Sequence, residues 1–524
     1  MLRGSLTLMA LLVTGCSGNG AIGTTCGGNA DCAGDLQCLN ALCQPRCARA
    51  PDCGDGFSCN ADGECITATK QPGDACESEV DCATGLSCQL DNSRANNDLY
   101  LAATCNAQHT TSPAGATCTD DNDCRNGTCS LGHCVDICKD DRDCGEGYNC
   151  AVIPSVTVSR ALFHGCLPQG GLLSWDLPID STTPELLIPA PAIATSLELL
   201  MSVDDANQKV GATSVLAPNG TRIYARPCSS VRGDCTPEQE ADQFFANAQR
   251  HEPGFGQSVL QIPSGNNVAV MTGVYQVEVA TQNASDNPGT ALPRITALLR
   301  LDTGVHLELH MFFLDLSDHP CQAMIGSAPL NAATAPSLDG FQAEYLYELR
   351  NIFHDSALTI DTTSFEDVKD HPTLDGLDLA NVGDLLKLGK YATGINVFFV
   401  RSLSPAGIQG YAPNPGPAGL AGTRQSGIVI SVDTLCYRSW TALARLTAHE
   451  IARYMGLYHN VELGTDDHAT WIDQIDDTSG DPANLMYFAE RIGTDAEVPR
   501  PKLTSGQRQI LSRSPAMQNV AVPQ

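Results

Sequence analysis

Apolar residues recur at intervals of three and four in two long stretches of this chain, both in its last third. From about Leu338 to His354, the residues Phe341, Tyr345, Leu349, Ile352 and Phe353 fall on one stripe, which predicts an amphipathic helix with one buried face. From about Tyr437 to Leu457 the residues are apolar nearly all round, which predicts a helix buried on every side. Short apolar runs at Val305 to Leu316, Leu358 to Ile360, Ile395 to Val400 and Ile428 to Val432 read as strands beside these helices. The segment from about Thr303 onward is therefore expected to be an α+β or α/β layer. Between Gly171 and Arg300 the period drops to two, as in Leu197-Glu198-Leu199-Leu200-Met201 and Tyr275-Gln276-Val277-Glu278-Val279. With Ala217-Pro218-Asn219-Gly220-Thr221 supplying the positive φ angles of a tight turn, residues 171–300 predict an all-β sandwich. From Cys26 to Cys166 neither period is present. Asp, Gly, Asn and Ala dominate, and large apolar residues are too sparse to build a core.

What replaces the core there is cysteine. Of 25 cysteines, 21 lie at or before Cys166, a density that a reducing cytosol does not maintain, so the chain is read as exported. The spacings give five four-cysteine units over residues 26–166: Cys26, Cys32, Cys38, Cys43; Cys47, Cys53, Cys59, Cys65; Cys76, Cys82, Cys88, Cys105; Cys118, Cys124, Cys129, Cys134; and Cys138, Cys144, Cys150, Cys166. An Asp precedes the second cysteine of every unit, which marks a repeated module. Small polar modules of this kind are held by cross-links worth about 2–4 kcal/mol each. Paired CxxC knuckles are absent, which argues against zinc. The array reads either as a ligand-binding surface or, more simply, as a stapled stalk. Downstream, Cys228 and Cys235 are spaced for a small local ring, and Cys321 with Cys436 for a bond fastening helix to sheet, although four cysteines allow three pairings.

The N-terminus and the charge set the context. Met1-Leu2-Arg3 followed by the apolar run Leu6 to Val13 reads as a signal peptide, too short to span a bilayer. Val13-Thr14-Gly15-Cys16 resembles a bacterial lipobox. The resemblance implies a signal over 1–15, lipidation of Cys16, a linker over 16–25 and attachment at the outer membrane or cell surface through lipid alone. Sixty acidic against 30 basic residues, a net charge of −30, argue against a nucleic-acid partner. The acidic clusters Asp120 to Asp123 and Asp473 to Asp477 lack EF-hand spacing and read as solvated loops, so calcium is not expected. The cysteine units resemble modules of Dickkopf type, and the β-region resembles prepeptidase sandwiches.

The chemistry sits in the second helix, Leu446-Thr447-Ala448-His449-Glu450-Ile451-Ala452-Arg453-Tyr454-Met455-Gly456-Leu457-Tyr458-His459. Two histidines four apart on a helix can hold a divalent ion, with the Glu beside the first acting on the metal's water; a Gly then ends the helix and returns a third His. His449, Glu450, Gly456 and His459 occupy such places, but Arg453 stands where the second His would be. The pattern HExxRxxGxxH resembles the HExxHxxGxxH of metzincin zinc metallopeptidases. Asn484-Leu485-Met486-Tyr487, 27 residues past His459, resembles the Met-turn of that family, and Thr504 with Gln507 opens a final helix as a capping box.

The resemblance covers about 210 residues, 303–515. It implies zinc held by His449 and His459, Glu450 as base, Met486 as a floor, and a peptide or protein as substrate. Arg453 puts the activity in question. A guanidinium keeps its proton and has no lone pair to donate, and two histidines alone hold zinc poorly. The expectation taken forward is a metzincin-like pseudo-protease in which Arg453 pairs with Glu450 and the cleft binds peptide or protein. An active zinc endopeptidase with a substitute ligand, from His468, Asp466 or Asp467, stands as the alternative. A chance motif, with metal-free hydrogen-bonded histidines and an ordinary core Met486, is the third.

Overall fold

The structure is a computed structural model that describes residues 21–519 apart from 226–248, 414–420, 464–469, 488–497 and gaps of one to three residues. Cys16 and its signal segment, Cys228 with Cys235, and the three substitute ligands Asp466, Asp467 and His468 lie outside the described residues. The chain divides into two compact units, Met1–Ala151 with Phe163–Leu167, and Val152–Leu162 with Pro168–Gln524.

In the first unit every four-cysteine module has the same pairing, first with third and second with fourth. The bonds are Cys26–Cys38 and Cys32–Cys43, Cys47–Cys59 and Cys53–Cys65, Cys76–Cys88 and Cys82–Cys105, Cys118–Cys129 and Cys124–Cys134, and Cys138–Cys150 and Cys144–Cys166. The third and fourth cysteines face each other across a hairpin, as in Cys38 opposite Cys43 and Cys88 opposite Cys105. The repeated Asp has a mechanical reason. Its carboxylate accepts backbone N–H groups of the loop that follows the first cysteine: Asp31 from Gly27 and Gly28, Asp52 from Ala48 and Arg49, Asp123 from Thr119 and Asp120, Asp143 from Lys139 and Asp140. Two residues earlier, Asn29, Glu79, Asp121 and Asp141 each accept the backbone N–H of the third cysteine. Two cystines with side-chain acceptors, two in four of the modules and Asp52 in the second, thus do what an apolar core does elsewhere. The acidic cluster Asp120 to Asp123 is accounted for as turn acceptors.

The modules are not strung out independently. Arg49 of the second module donates from Nη1 to the carbonyls of Asp141, Cys144, Gly145 and Tyr148 in the fifth, 92 to 99 residues away. Ala50 N–H adds a bond to Arg142 O at 2.6 Å. Arg125 of the fourth module lies 3.6 Å from Glu79 of the third and 2.9 Å from Asp136. These contacts join modules that lie far apart in sequence.

The second unit opens with β1 (Leu172–Leu177), β2 (Glu185–Ala190), β3 (Ser196–Ser202), β4 (Gln208–Leu216), β5 (Arg222–Ala225), β6 (Gln249–Glu252), β7 (Gln257–Ile262), β8 (Gly273–Asn283) and β9 (Arg294–Arg300). They form two antiparallel sheets, in the orders β1-β9-β3-β7-β6 and β2-β8-β4-β5. Leu197, Leu199 and Met201 point to one face of β3 and are fully buried, as are Val215 of β4 and Val277 of β8 in the other sheet. The hydroxyl of Ser258 on β7 donates to Val210 O on β4 at 2.7 Å and ties the sheets together.

The remainder is built on β10 (His306–Phe313), β11 (Thr359–Asp367), β12 (Ile395–Val400), β13 (Gly410–Tyr411), β14 (Ile428–Ser431) and β15 (Met517–Gln518). The sheet order is β11-β10-β12-β14-β13, parallel except for β13, which runs antiparallel at the edge; β15 pairs antiparallel with β10. The central strands are apolar without alternation because both faces are covered. Phe313, Val397, Phe399 and Ile430 join one core with the long helices, while Phe312, Phe398, Val400 and Val429 pack on Val382, Leu385 and Leu386.

The stripe from Phe341 to Phe353 is buried as its spacing predicts. The backbone there is a π-helical stretch, Gly340–Leu346, running into α1 (Tyr347–His354). The second helix is α2 (Trp440–Tyr454), capped by the Ser439 hydroxyl accepting from Ala442 N–H at 3.1 Å. Burial on every side, expected from composition, does not hold: Ala442, Arg445, Leu446, His449 and Arg453 form a half-buried stripe. Helix α3 (Ser505–Ser512) carries the capping box between Thr504 and Gln507. Cys321 and Cys436 are bonded as expected.

Candidate functional site

The half-buried stripe of α2 forms one wall of a cavity of about 900 Å³. Gly407 to Gly410, leading into the edge strand β13, line a second wall, and Ala483 to Leu485 with Pro499 and Pro501 a third. His449, Glu450, Arg453 and His459 all face this space, so the residues singled out by the helix motif meet in one place.

Each is held by an identifiable device. Gly456 ends α2 with a φ of 107°, a conformation that side chains disfavour, and a Cβ there would also lie 2.5 Å from the Gln261 amide of β7. That turn brings His459 back until its Nε2 lies 3.1 Å from Nε2 of His449. The other nitrogen of His449, Nδ1, lies 2.7 Å from Leu485 O, so it carries the proton and donates. His449 Nε2 and His459 Nε2 thus stand at hydrogen-bond distance and form a histidine pair, one nitrogen donating and the other accepting. Leu485 is fixed by the turn that ends in Met486. Met486 N–H donates to Asn484 Oδ1 at 2.9 Å, and Asn484 exchanges two 3.0 Å amide bonds with Gln507 of α3. Met486 is fully buried in the helix-side core.

Glu450 is buried at 4% exposure beneath this pair. The edge strand approaches it so closely that a Cβ on Gly410 would stand 2.8 Å from its Cγ. Among the described residues its Oε2 accepts no hydrogen bond, and it lies 4.0 Å from Arg453 Nη1, a Coulombic contact. Burial pushes the Glu450 carboxyl above the usual carboxylate range against the pull of the Arg453 guanidinium. Sequence reasoning missed the Leu485 carbonyl, Gly410 and Arg445, whose Nε donates to Glu348 on α1 at 2.9 Å. The Leu485 carbonyl and Gly410 carry no local signal, because one acts through backbone and the other from a distant strand; Arg445 lies on α2, but its partner Glu348 is 97 residues away.

The donor set fits a metal only in part. Two imidazole nitrogens bound to one tetrahedral zinc at about 2.0–2.1 Å stand about 3.3 Å apart, close to the 3.1 Å seen here. The second place on the helix is taken by the Arg453 guanidinium, which cannot ligate. Asp473, in the second acidic cluster, is buried at 8% exposure, and its carboxyl is pushed up to about 6 by that burial; it accepts from Thr478 and Ile475 as a turn residue. Compared with known proteins, the chain matches no family model and none of the curated sequences.

Proposed function

We propose that the chain is an exported surface lipoprotein, anchored through Cys16, whose C-terminal α/β layer is a metzincin-like domain turned from cutting peptides to binding them. The single observation that carries this reading is Arg453. It lines the same cavity as His449 and His459 and sets a permanent cation where a third neutral ligand is needed. Further support comes from the left-handed Gly456, the buried Met486 beneath the turn that orients His449, and the hydrogen-bonded histidine pair. Ten disulfides in the first unit fit an oxidising, extracytoplasmic setting. Among the described residues no helix is long and apolar enough to cross a membrane.

The second reading, an active zinc endopeptidase completed by Asp466, Asp467 or His468, is favoured by one distance alone, the zinc-like separation of the two Nε2 atoms. Metal analysis separates the two. The wild type is expected to hold well under one zinc per chain, and Arg453→His to gain stoichiometric zinc and peptidase activity. One zinc per wild-type chain, together with cleavage of a peptide substrate, would overturn the pseudo-protease reading.

A further inference from the structure

The outer face of the first antiparallel sheet is polar and yet closed to water. Leu197, Leu199 and Met201 turn to the inner face, so Ser196 and Glu198 on β3 turn outward, with Arg300 of β9 opposite Ser196 and Gln261 of β7 opposite Glu198. These four residues are only 1–2% exposed. The ends of α2 and α3 lie over them. The Ser196 hydroxyl donates to Arg513 O at 2.8 Å, and Arg300 donates to Ser514 O at 3.3 Å and to Met517 O. Glu198 is near enough to act on the Tyr454 hydroxyl, and the Gln261 amide lies against Gly456. Three of the four meet backbone, so what the sheet fixes there is the path of the chain rather than a side chain free to turn away. The contact at Gly456 bears on the site. The loop from Gly456 to Asn460 has three anchors: Leu457 N–H donates to Ala452 O at 3.0 Å, Asn460 N–H donates to Met486 O at 3.0 Å, and Gln261 closes the space behind Gly456, where a Cβ would meet its Nε2 and Oε1 at 2.5 Å. His459 lies between the last two. Its Nε2 stands 3.1 Å from that of His449, and a hydrogen bond is lost beyond about 3.5 Å, so a small shift of this loop breaks the pair.

We propose that Gln261 is a positioning residue for the histidine pair: its amide, carried on β7, fixes Gly456 from behind and so sets where His459 stands, which makes the antiparallel sheets part of the site. The proposal rests on the pair as the centre of the proposed function and holds for either reading of that centre, since both need the two Nε2 atoms close together. The fit is reciprocal. A residue without a side chain on one element receives a large buried one from the other, and in a close-packed interior such a contact transmits displacement instead of absorbing it. Among the described residues the Oε1 of Gln261 accepts no hydrogen bond. Its bulk is therefore what acts on Gly456, and an uncharged side chain of similar size should do the same.

The test uses the full chain, isotope-labelled at the histidine ring nitrogens and stripped of metal by chelator, and reads by NMR how fast the imidazole N–H protons exchange with water. Two signals matter: the proton shared by the histidine pair, and the Nδ1–H of His449 bonded to Leu485 O, which the turn at Met486 fixes independently. Gln261→Ala is expected to speed exchange of the first by about tenfold or more, the effect of one net hydrogen bond, and to leave the second unchanged. Gln261→Met, which keeps the bulk, should leave both as in the wild type. Gly456→Ala should abolish the first signal, and adding Gln261→Ala to the same chain should restore it in part by removing the collision. A general loosening of the fold would speed both signals together, so the contrast between them separates positioning from stability. A shared proton unmoved by Gln261→Ala, both signals moved equally, or a Gly456→Ala effect no smaller in the double variant overturns the proposal alone. No shared proton in the metal-free wild type overturns the paired site beneath it, and the proposal with it.

Discussion

The cysteine-rich array and the C-terminal layer answer the same problem in opposite ways. In the array, order is local: each module closes through cystines 10 to 23 residues apart and through carboxylates that accept N–H groups three or four residues away. In the C-terminal layer, order is collective. Strands 30 to 50 residues or more apart in sequence pair in parallel, and one core holds residues from Leu307 to Met517. The contrast teaches where function can be placed. A module with no core can repeat but offers no sheltered cavity, while a covered parallel sheet can leave one helix face open and hold four chemically demanding side chains against it.

Reduction should break the comparison most visibly. Thiol reductant on the full chain is expected to unfold the array, since each cystine contributes about 2–5 kcal/mol and only a few buried apolar side chains, such as Leu101, Val135, Ile137 and Phe163, stand behind it. The second unit, with Cys321–Cys436 as its described bond, should keep its own calorimetric transition at somewhat lower temperature. Array amides that stay protected from hydrogen exchange after reduction would show that its stability lies elsewhere.

The next largest effect concerns the seam within the second unit. Ser196 donates to Arg513 O at 2.8 Å, Arg300 donates to Ser514 O and Met517 O, and Glu198 lies near enough to Tyr454 of α2 to act on its hydroxyl. Burial at 2% exposure raises the Glu198 carboxyl from an ordinary 4.5 to about 8. The folded state keeps a proton that the unfolded chain releases above about pH 4.5, so stability falls as pH rises from there to about 8. Glu198→Gln should remove that slope and, at pH 9, stabilise the second unit by up to about 5 kcal/mol. Denaturant midpoints measured at pH 5 and pH 9 decide it; a wild-type curve flat between them would show that Glu198 is charged and compensated.

The smallest of these effects sharpens the contrast. Gly456→Ala combines a left-handed backbone with a collision against Gln261, and should cost about 2–3 kcal/mol while displacing His459. Gly85 of the array has a similar positive φ of 85° but open space around it, so Gly85→Ala should cost only about 1 kcal/mol. Equal losses at the two positions would mean that backbone strain, and not the close approach of the β-sheets to α2, fixes the turn.

Much of this was legible in the chain. The five modules, the strand Ile395 to Val400, the helix around His449, the turn at Gly456, the capping box and the Arg453–Glu450 contact are all short-range features, set by spacing along a few residues. The pairing within the modules was not legible, because four cysteines allow three connectivities and spacing cannot choose among them. Nor was the landing of Arg49 on four carbonyls of the fifth module, because it joins residues 92 to 99 apart in sequence. The apolar composition of α2 suggested burial all round, yet one stripe stays half-open because β13 stops short of covering it.

Sequence alone, then, determined which side chains travel together: His449, Glu450 and Arg453 share a helix, and a glycine follows to turn the chain toward His459. Only the tertiary structure decided what they face. A carbonyl 36 residues away orients His449, a glycine on an edge strand presses on Glu450, and the cavity between them gathers guanidinium groups on a chain of opposite charge. Periodicity is a property of neighbours along the backbone, whereas shelter from water is made by segments that meet only after folding, and it is shelter that gives these groups their chemistry.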